Sequence, residues 1–208
     1  MITVIDLKIC NIASVSRALV YLGFEHKVCT SAKEVNDPSK FILPGVGSFF
    51  EASKRLKSEG WHDLLRQKVL EERMPILGIC LGMQLFATVG EEGGHSYGLD
   101  LIKGRVAFLR SGKANIRIPH VGWNDVVSND LKLFEALPED RCFYFVHSYE
   151  FIPEEDIKIA TCHYGVDFVA AFEKENIFGV QFHPEKSQGP GLALLKNFAE
   201  VNQCCVIE

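Results

Sequence analysis

Apolar positions in the first part of the chain fall into short runs, with helically spaced stretches between them. Residues 2–6 alternate into a β-rich strand. Ile12, Val15, Ala18, Leu19 and Leu22 then recur at three- and four-residue steps, which predicts a helix over 12–22 capped by Asn11 and ended by Gly23. Residues 25–30 predict a second strand. Residues 40–43 predict a third, apolar enough to be buried on both faces, running into Pro44-Gly45-Val46-Gly47. Helices follow over about 48–59, with Phe49, Ala52 and Leu56 inward, and near 61–72, with Trp61, Leu64, Leu65, Val69 and Leu70 inward. The run 75–80 has the length of a buried strand, and a helical pattern begins at Met83. This order predicts an α/β fold with a mostly parallel sheet and helices on both faces.

The texture changes after Gly90. Residues 99–109, 116–121, 142–146, 156–162, 168–172 and 177–182 read as short strands separated by polar turns, so the second half is expected to add antiparallel strands to the parallel sheet. A closing helix over 191–201 carries Leu192, Leu194, Leu195 and Phe198. With 208 residues, 47% hydrophobic and 24% charged, the chain suits one well-filled core, read as a single domain over 1–203 and a frayed tail over 204–208.

Net charge is −5 and no Lys/Arg run appears, which argues against nucleic acid as a partner. No apolar run approaches the roughly 20 residues of a membrane span. The first residues carry no charged stretch ahead of their apolar ones and read as a strand, not a leader. Seven cysteines at positions 10, 29, 80, 142, 162, 204 and 205 are odd in number, scattered and without a Cys-x-x-Cys pair, as expected of reduced thiols in a cytoplasmic protein.

Candidate chemistry centres on Gly78-Ile79-Cys80-Leu81-Gly82. A strand, a sharp turn and a helix with a nucleophile at the turn make a nucleophile elbow, here written with cysteine. The two glycines remove side chains that would collide where strand and helix cross. The sulfur is expected to be exposed on the tip, where the helix dipole and free amides favour thiolate. The Leu81 amide is placed to donate to an oxyanion. A lone cysteine in this setting is also read as a buried structural thiol, unless a base accompanies it. His183-Pro184-Glu185 supplies one. Proline pushes His183 toward an extended conformation, so side chains 183 and 185 can share a side, Glu185 orienting the ring and His183 taking the proton of Cys80. Alone, that tripeptide is an ordinary loop; beside the elbow it reads as catalytic.

Gly78-Ile79-Cys80-Leu81-Gly82-Met83-Gln84 with Gln181-Phe182-His183-Pro184-Glu185 resembles the class I (triad) glutamine amidotransferases. Leu43–Gly47, Pro119–Asn124, Tyr144–Tyr149 and Glu185–Ser187 followed by Leu194–Phe198 extend the likeness over essentially the whole chain, toward the glutaminase subunits of imidazole glycerol phosphate synthase. The resemblance implies Cys80 as nucleophile, His183 as base and Glu185 as its orienter. It implies an oxyanion hole at Leu81 and, after a peptide turns, Val46, and a glutamine site at Gly47, Gln84, Ser148 and Tyr149, mainly through backbone groups. It implies no cofactor and no metal. The implied partner is a (β/α)₈-barrel synthase subunit of HisF type that receives ammonia in histidine biosynthesis, in a heterodimer contacted by Trp123, Tyr144 and Lys186, although Trp123 and Tyr144 could instead be core.

One loop departs from the family pattern. Asp6-Leu7-Lys8-Ile9-Cys10-Asn11 replaces the usual Asp-Tyr-Gly-x-Gly-Asn, which keeps open a paralogous subunit supplying ammonia for amidino groups on surface sugars. A stand-alone γ-glutamyl hydrolase and an inactive binding module are the remaining alternatives.

Overall fold

The computed structural model describes residues 1–110, 116–128, 130–137 and 141–202. The tail over 204–208 lies outside the described residues. The first half alternates as the spacing predicts: β1 (Ile2–Ile5), α1 (Ile12–Tyr21), β2 (His26–Cys29), β3 (Lys40–Gly45), α2 (Phe49–Ser58), α3 (Trp61–Arg66), β4 (Ile76–Cys80) and α4 (Leu81–Gln84). Asn11 caps α1 by accepting from the Ala13 amide, and Gly23 follows at φ +80°. The helix expected near 61–72 is α-helical only to Arg66. Residues Gln67–Glu71 form a π-helical turn, and the buried Asn176 amide donates to the Val69 and Met74 carbonyls that close it.

The second half contributes β5 (Val89–Gly90), β6 (Ser96–Tyr97), β7 (Gly104–Phe108), β8 (His120–Asp125), β9 (Cys142–His147), β10 (Tyr149–Pro153), β11 (Lys158–His163), β12 (Asp167–Lys174), β13 (Ile177–Val180) and α5 (Gln188–Glu200). The main sheet has the order β11-β12-β13-β4-β3-β1-β2. Its five strands from β13 to β2 are parallel, while β12 and β11 are added antiparallel at one edge. The other late strands do not join it. They form a four-stranded sheet, β10-β7-β5-β6, and the two-stranded ribbon β8-β9.

Both faces of the main sheet are covered. Val15 and Leu19 of α1, Leu194 and Phe198 of α5 and Phe143 and Phe145 of β9 belong to one apolar cluster; Phe49 and Leu56 of α2, Trp61 and Leu65 of α3 and Phe151 of β10 belong to the other. The central strands are therefore buried on both sides, and β3 and β4 have no exposed residue. Every parallel strand presents its carboxyl end to the same edge, and β4 lies between β3 and β13 there.

Candidate active site

Cys80 ends β4 with φ +54° and ψ −110°, a conformation L residues rarely adopt and one that costs roughly 1–3 kcal/mol. Its flanking glycines make the turn sterically feasible. A Cβ at Gly82 would lie 1.7 Å from the Leu43 carbonyl oxygen, and one at Gly78 would lie 2.6 Å from the Met83 nitrogen. Strand and helix thus cross in backbone contact, which is what holds the strained residue in place.

Two expectations about this turn are corrected. Cys80 is only 5% exposed, so its sulfur sits at the floor of a cavity and not on an open tip. And α4 is four residues long, too short for an appreciable dipole. The carbonyls of Leu85, Phe86 and Ala87, which a longer helix would use itself, accept from the amides of residues 99–102. A side chain takes over at the sulfur: the Gln181 amide donates to Cys80 Sγ at 3.6 Å.

His183 follows β13, the parallel neighbour of β4, so the pairing of these two strands carries the imidazole to the thiol. Its backbone is fixed on both sides, with its N–H donating to the Tyr144 carbonyl at 2.8 Å and its carbonyl accepting from Ser187 Oγ at 2.6 Å. His183 Nδ1 and Glu185 Oε1 are 2.9 Å apart, with side chains 3% and 6% exposed. Burial opposes a charged ring, but the Cys80 sulfur and the Glu185 carboxylate outweigh it and push His183 up to about 10. With Nδ1–H donating to Glu185, the buried Nε2 is the atom left for proton exchange with the Cys80 sulfur.

A cavity of about 360 Å³ opens over the thiol, within the range of small-ligand sites. Cys80, the oxyanion candidates Val46 and Leu81, and the glutamine candidates Gly47, Gln84, Ser148 and Tyr149 all line it. Gly45 pairs with Cys80 across β3 and β4, which sets Val46 beside the sulfur, and Gly47 takes φ +97°, where glycine is favoured. Gln84 is more committed than its sequence suggests: its side-chain nitrogen donates to the Tyr149 carbonyl and to Gln181 Oε1, each at 3.0 Å.

Gln181, Glu92 and Cys10 were not among the site residues read from the sequence. Gln181 stands two residues before His183, so strand alternation could have placed it on the same side. Glu92, in a polar loop, reaches the cavity wall and accepts from the Phe49 amide at 2.7 Å. Cys10 donates to the Pro44 carbonyl at 3.7 Å, and burial, with Asp6, Glu185 and Cys80 nearby, pushes its thiol up to about 12. In the same divergent loop, Lys8 retains a glycine-like φ of +56°.

Trp123, Tyr144 and Lys186 come together on the surface next to this site. Trp123 is 47% exposed, which excludes the core alternative for it. Its ring lies 6.1 Å from that of half-buried Tyr144, Lys186 Nζ lies 5.7 Å from the same tyrosine ring, and that ring is 6.4 Å from the His183 imidazole.

Residues 3–201 match the family model described as glutamine amidotransferase class-I. The chain is 43% identical over 199 residues to imidazole glycerol phosphate synthase subunit HisH 1 of Campylobacter jejuni strain RM1221, covering 95% of this chain and 98% of the relative. It is 44% identical over 202 residues to the HisH subunit of Moorella thermoacetica, covering 96% and 94%. A crystal structure of a glutamine amidotransferase superposes with a TM-score of 0.72 at 20% identity, covering 96% of this chain and 99% of that one, a likeness of fold.

Proposed function

This chain belongs to the class-I glutamine amidotransferase family, and from that premise we propose that it is the glutaminase subunit of an imidazole glycerol phosphate synthase. The observation that carries the reading is the strained Cys80 on the floor of a cavity with the buried His183–Glu185 pair beside it.

The sulfur, as thiolate beside the His183 imidazolium, attacks the side-chain amide carbon of glutamine. The oxygen of the tetrahedral intermediate takes hydrogen bonds from the Leu81 amide and, once the adjoining peptide turns, from the Val46 amide. The carbon–nitrogen bond then breaks, and His183 Nε2 gives its proton to the departing ammonia. Water, deprotonated by the same nitrogen, cleaves the γ-glutamyl thioester and restores the thiol as glutamate leaves. Glu185 keeps Nδ1–H oriented throughout and stabilises the cation. Gly47, Ser148 and Tyr149 hold the amino-acid end of the substrate, and the Glu92 carboxylate suits its ammonium.

Ammonia is useful to a synthase only if it stays out of bulk water, which calls for a partner docked over the site. Trp123, Tyr144 and Lys186 offer aromatic anchors and a cation beside His183, a composition suited to docking a (β/α)₈-barrel subunit. Residues 1–203 constitute the glutaminase domain in this reading. The names borne by the curated relatives favour the histidine-pathway synthase over a sugar-amidinating paralogue. Among the described residues no helix is long and apolar enough to cross a membrane.

The test is glutamate release by the purified chain, alone and with the barrel subunit, each with and without that subunit's ribonucleotide substrate. Strong stimulation only when both are present supports the reading. Full turnover by the isolated chain would favour a free γ-glutamyl hydrolase. Absent stimulation, with Cys80 still labelled by a glutamine-like electrophile, would favour the paralogue.

A further inference from the structure

The proposed reaction leaves a buried histidine pair unused. His120, at the start of β8, and His147, at the end of β9, are 2% and 6% exposed, and His120 Nδ1 lies 3.0 Å from His147 Nε2. On its other side His147 Nδ1 lies 2.9 Å from the Tyr149 carbonyl oxygen. A carbonyl only accepts, so Nδ1 of His147 carries the hydrogen. Burial keeps both rings neutral, each with its pKa lowered to about 4. In the neutral ring Nε2 is then a bare acceptor, and the hydrogen between the two histidines belongs to His120.

The direction of donation is therefore fixed from His120 to His147 to the Tyr149 carbonyl. His120 has little freedom to leave this arrangement: it stacks on Tyr164 at 4.0 Å and 24° and on Phe145 at 4.8 Å and 25°, and the Tyr164 hydroxyl donates to the Arg117 carbonyl at 2.9 Å. The same Tyr149 carbonyl accepts from Gln84 at 3.0 Å, and Gln84 is tied through Gln181 to the Cys80 sulfur. Ser148 and Tyr149, the segment so held, form the cavity wall facing the nucleophile.

We propose that His120 is a positioning residue of the glutamine site: by donating to His147 it sets the tautomer of that ring, and through it the placement of the Tyr149 carbonyl and the Ser148–Tyr149 wall. This rests on the glutaminase reading and adds to it a residue that touches neither the substrate nor the cavity. Its consequence is a loss in glutamine recognition with little loss in the chemical step.

Two variants separate that role from simple packing. His120→Asn keeps a donor at the position of Nδ1, and His120→Leu removes it. In the complex with its barrel subunit, His120→Leu is expected to raise KM for glutamine roughly tenfold with kcat within about twofold, the scale of one hydrogen bond, while His120→Asn stays near wild type. Labelling of Cys80 by a glutamine-like chloroketone should fall in parallel with affinity, whereas labelling by iodoacetamide, which needs only the thiol, should not change. An unaltered KM in His120→Leu, equal impairment of both variants, or iodoacetamide labelling that falls together with the chloroketone would overturn the proposal. Imidazole ¹⁵N signals of the wild type give an answer independent of turnover. A protonated Nδ1 and bare Nε2 on His147 are expected, and the opposite tautomer refutes the proposal even if glutaminase activity is absent, the result that defeats the underlying reading instead.

Discussion

Glu185→Gln removes a charge from the proposed triad while keeping its shape, since Gln Oε1 can still accept from His183 Nδ1 at the 2.9 Å separation now held by the carboxylate. A unit charge about 4 Å from the centre of the imidazolium, at an effective dielectric of about 20, contributes about 4 kcal/mol. The surviving neutral hydrogen bond retains about 1–2 kcal/mol of that. The net loss of about 2–3 kcal/mol corresponds to about two pKa units on His183 and a fall in kcat/KM of roughly 30- to 150-fold. The sign follows from the direction of the shift. His183 is raised from 6.5 to about 10, so the imidazolium and the stability it contributes are fully present below pH 6.5 and are lost as pH rises through 10. Turnover that uses the thiolate–imidazolium pair should therefore decline on the alkaline side, and in the variant that decline moves to lower pH by about two units. The assay is the pH dependence of kcat/KM for glutamate release by the complex at saturating ribonucleotide, with denaturant unfolding over the same range. An alkaline limb that does not move, or activity within twofold of wild type, would refute the role given to Glu185.

Gly82→Ala should leave little folded protein, because its Cβ would sit 1.7 Å from a backbone oxygen; a cost above about 4 kcal/mol is expected by urea unfolding, whereas Gly189→Ala, with nothing within 4 Å and a helical setting, should be neutral or stabilising by up to about 1 kcal/mol. His120→Phe keeps the stack but removes a group whose pKa falls from 6.5 to about 4; stability from that shift is present above 6.5 and lost as pH falls, so between pH 7 and pH 4.5 the variant should gain about 2 kcal/mol relative to wild type in unfolding titrations. Lys40→Met removes a buried ammonium that donates to the Ala199 and Val201 carbonyls at the end of α5, and should cost about 1.5–3 kcal/mol in the same measurement at neutral pH.

Residues near each other in sequence made much of this protein legible. The three- and four-residue spacing in α1 and α2 and the apolar runs Phe41–Leu43 of β3 and Ile76–Ile79 of β4 are local consequences of which faces are buried. Gly78 and Gly82 mark the elbow because only residues without a Cβ permit that crossing, and His183 and Glu185 are two residues apart and meet through local geometry alone. β10 went unpredicted because its alternation is broken: Glu150 is 2% exposed, accepting from Arg110. The short extent of α4 was hidden for a similar reason, since the groups that replace its hydrogen bonds come from residues 99–102.

The sequence by itself determined the elements of the first half, the elbow glycines, the His–Glu pair and the family, because each depends on spacing along the chain or on a conformation that one residue type alone permits. The tertiary structure decided that β13 lies against β4 and so brings His183 to Cys80, that the sulfur is buried and bonded to Gln181, and that His120 donates to His147 behind the cavity wall. Those are matters of strand pairing and desolvation. The energy of a buried polar group depends on which partners surround it, and these partners come from segments far apart in the chain.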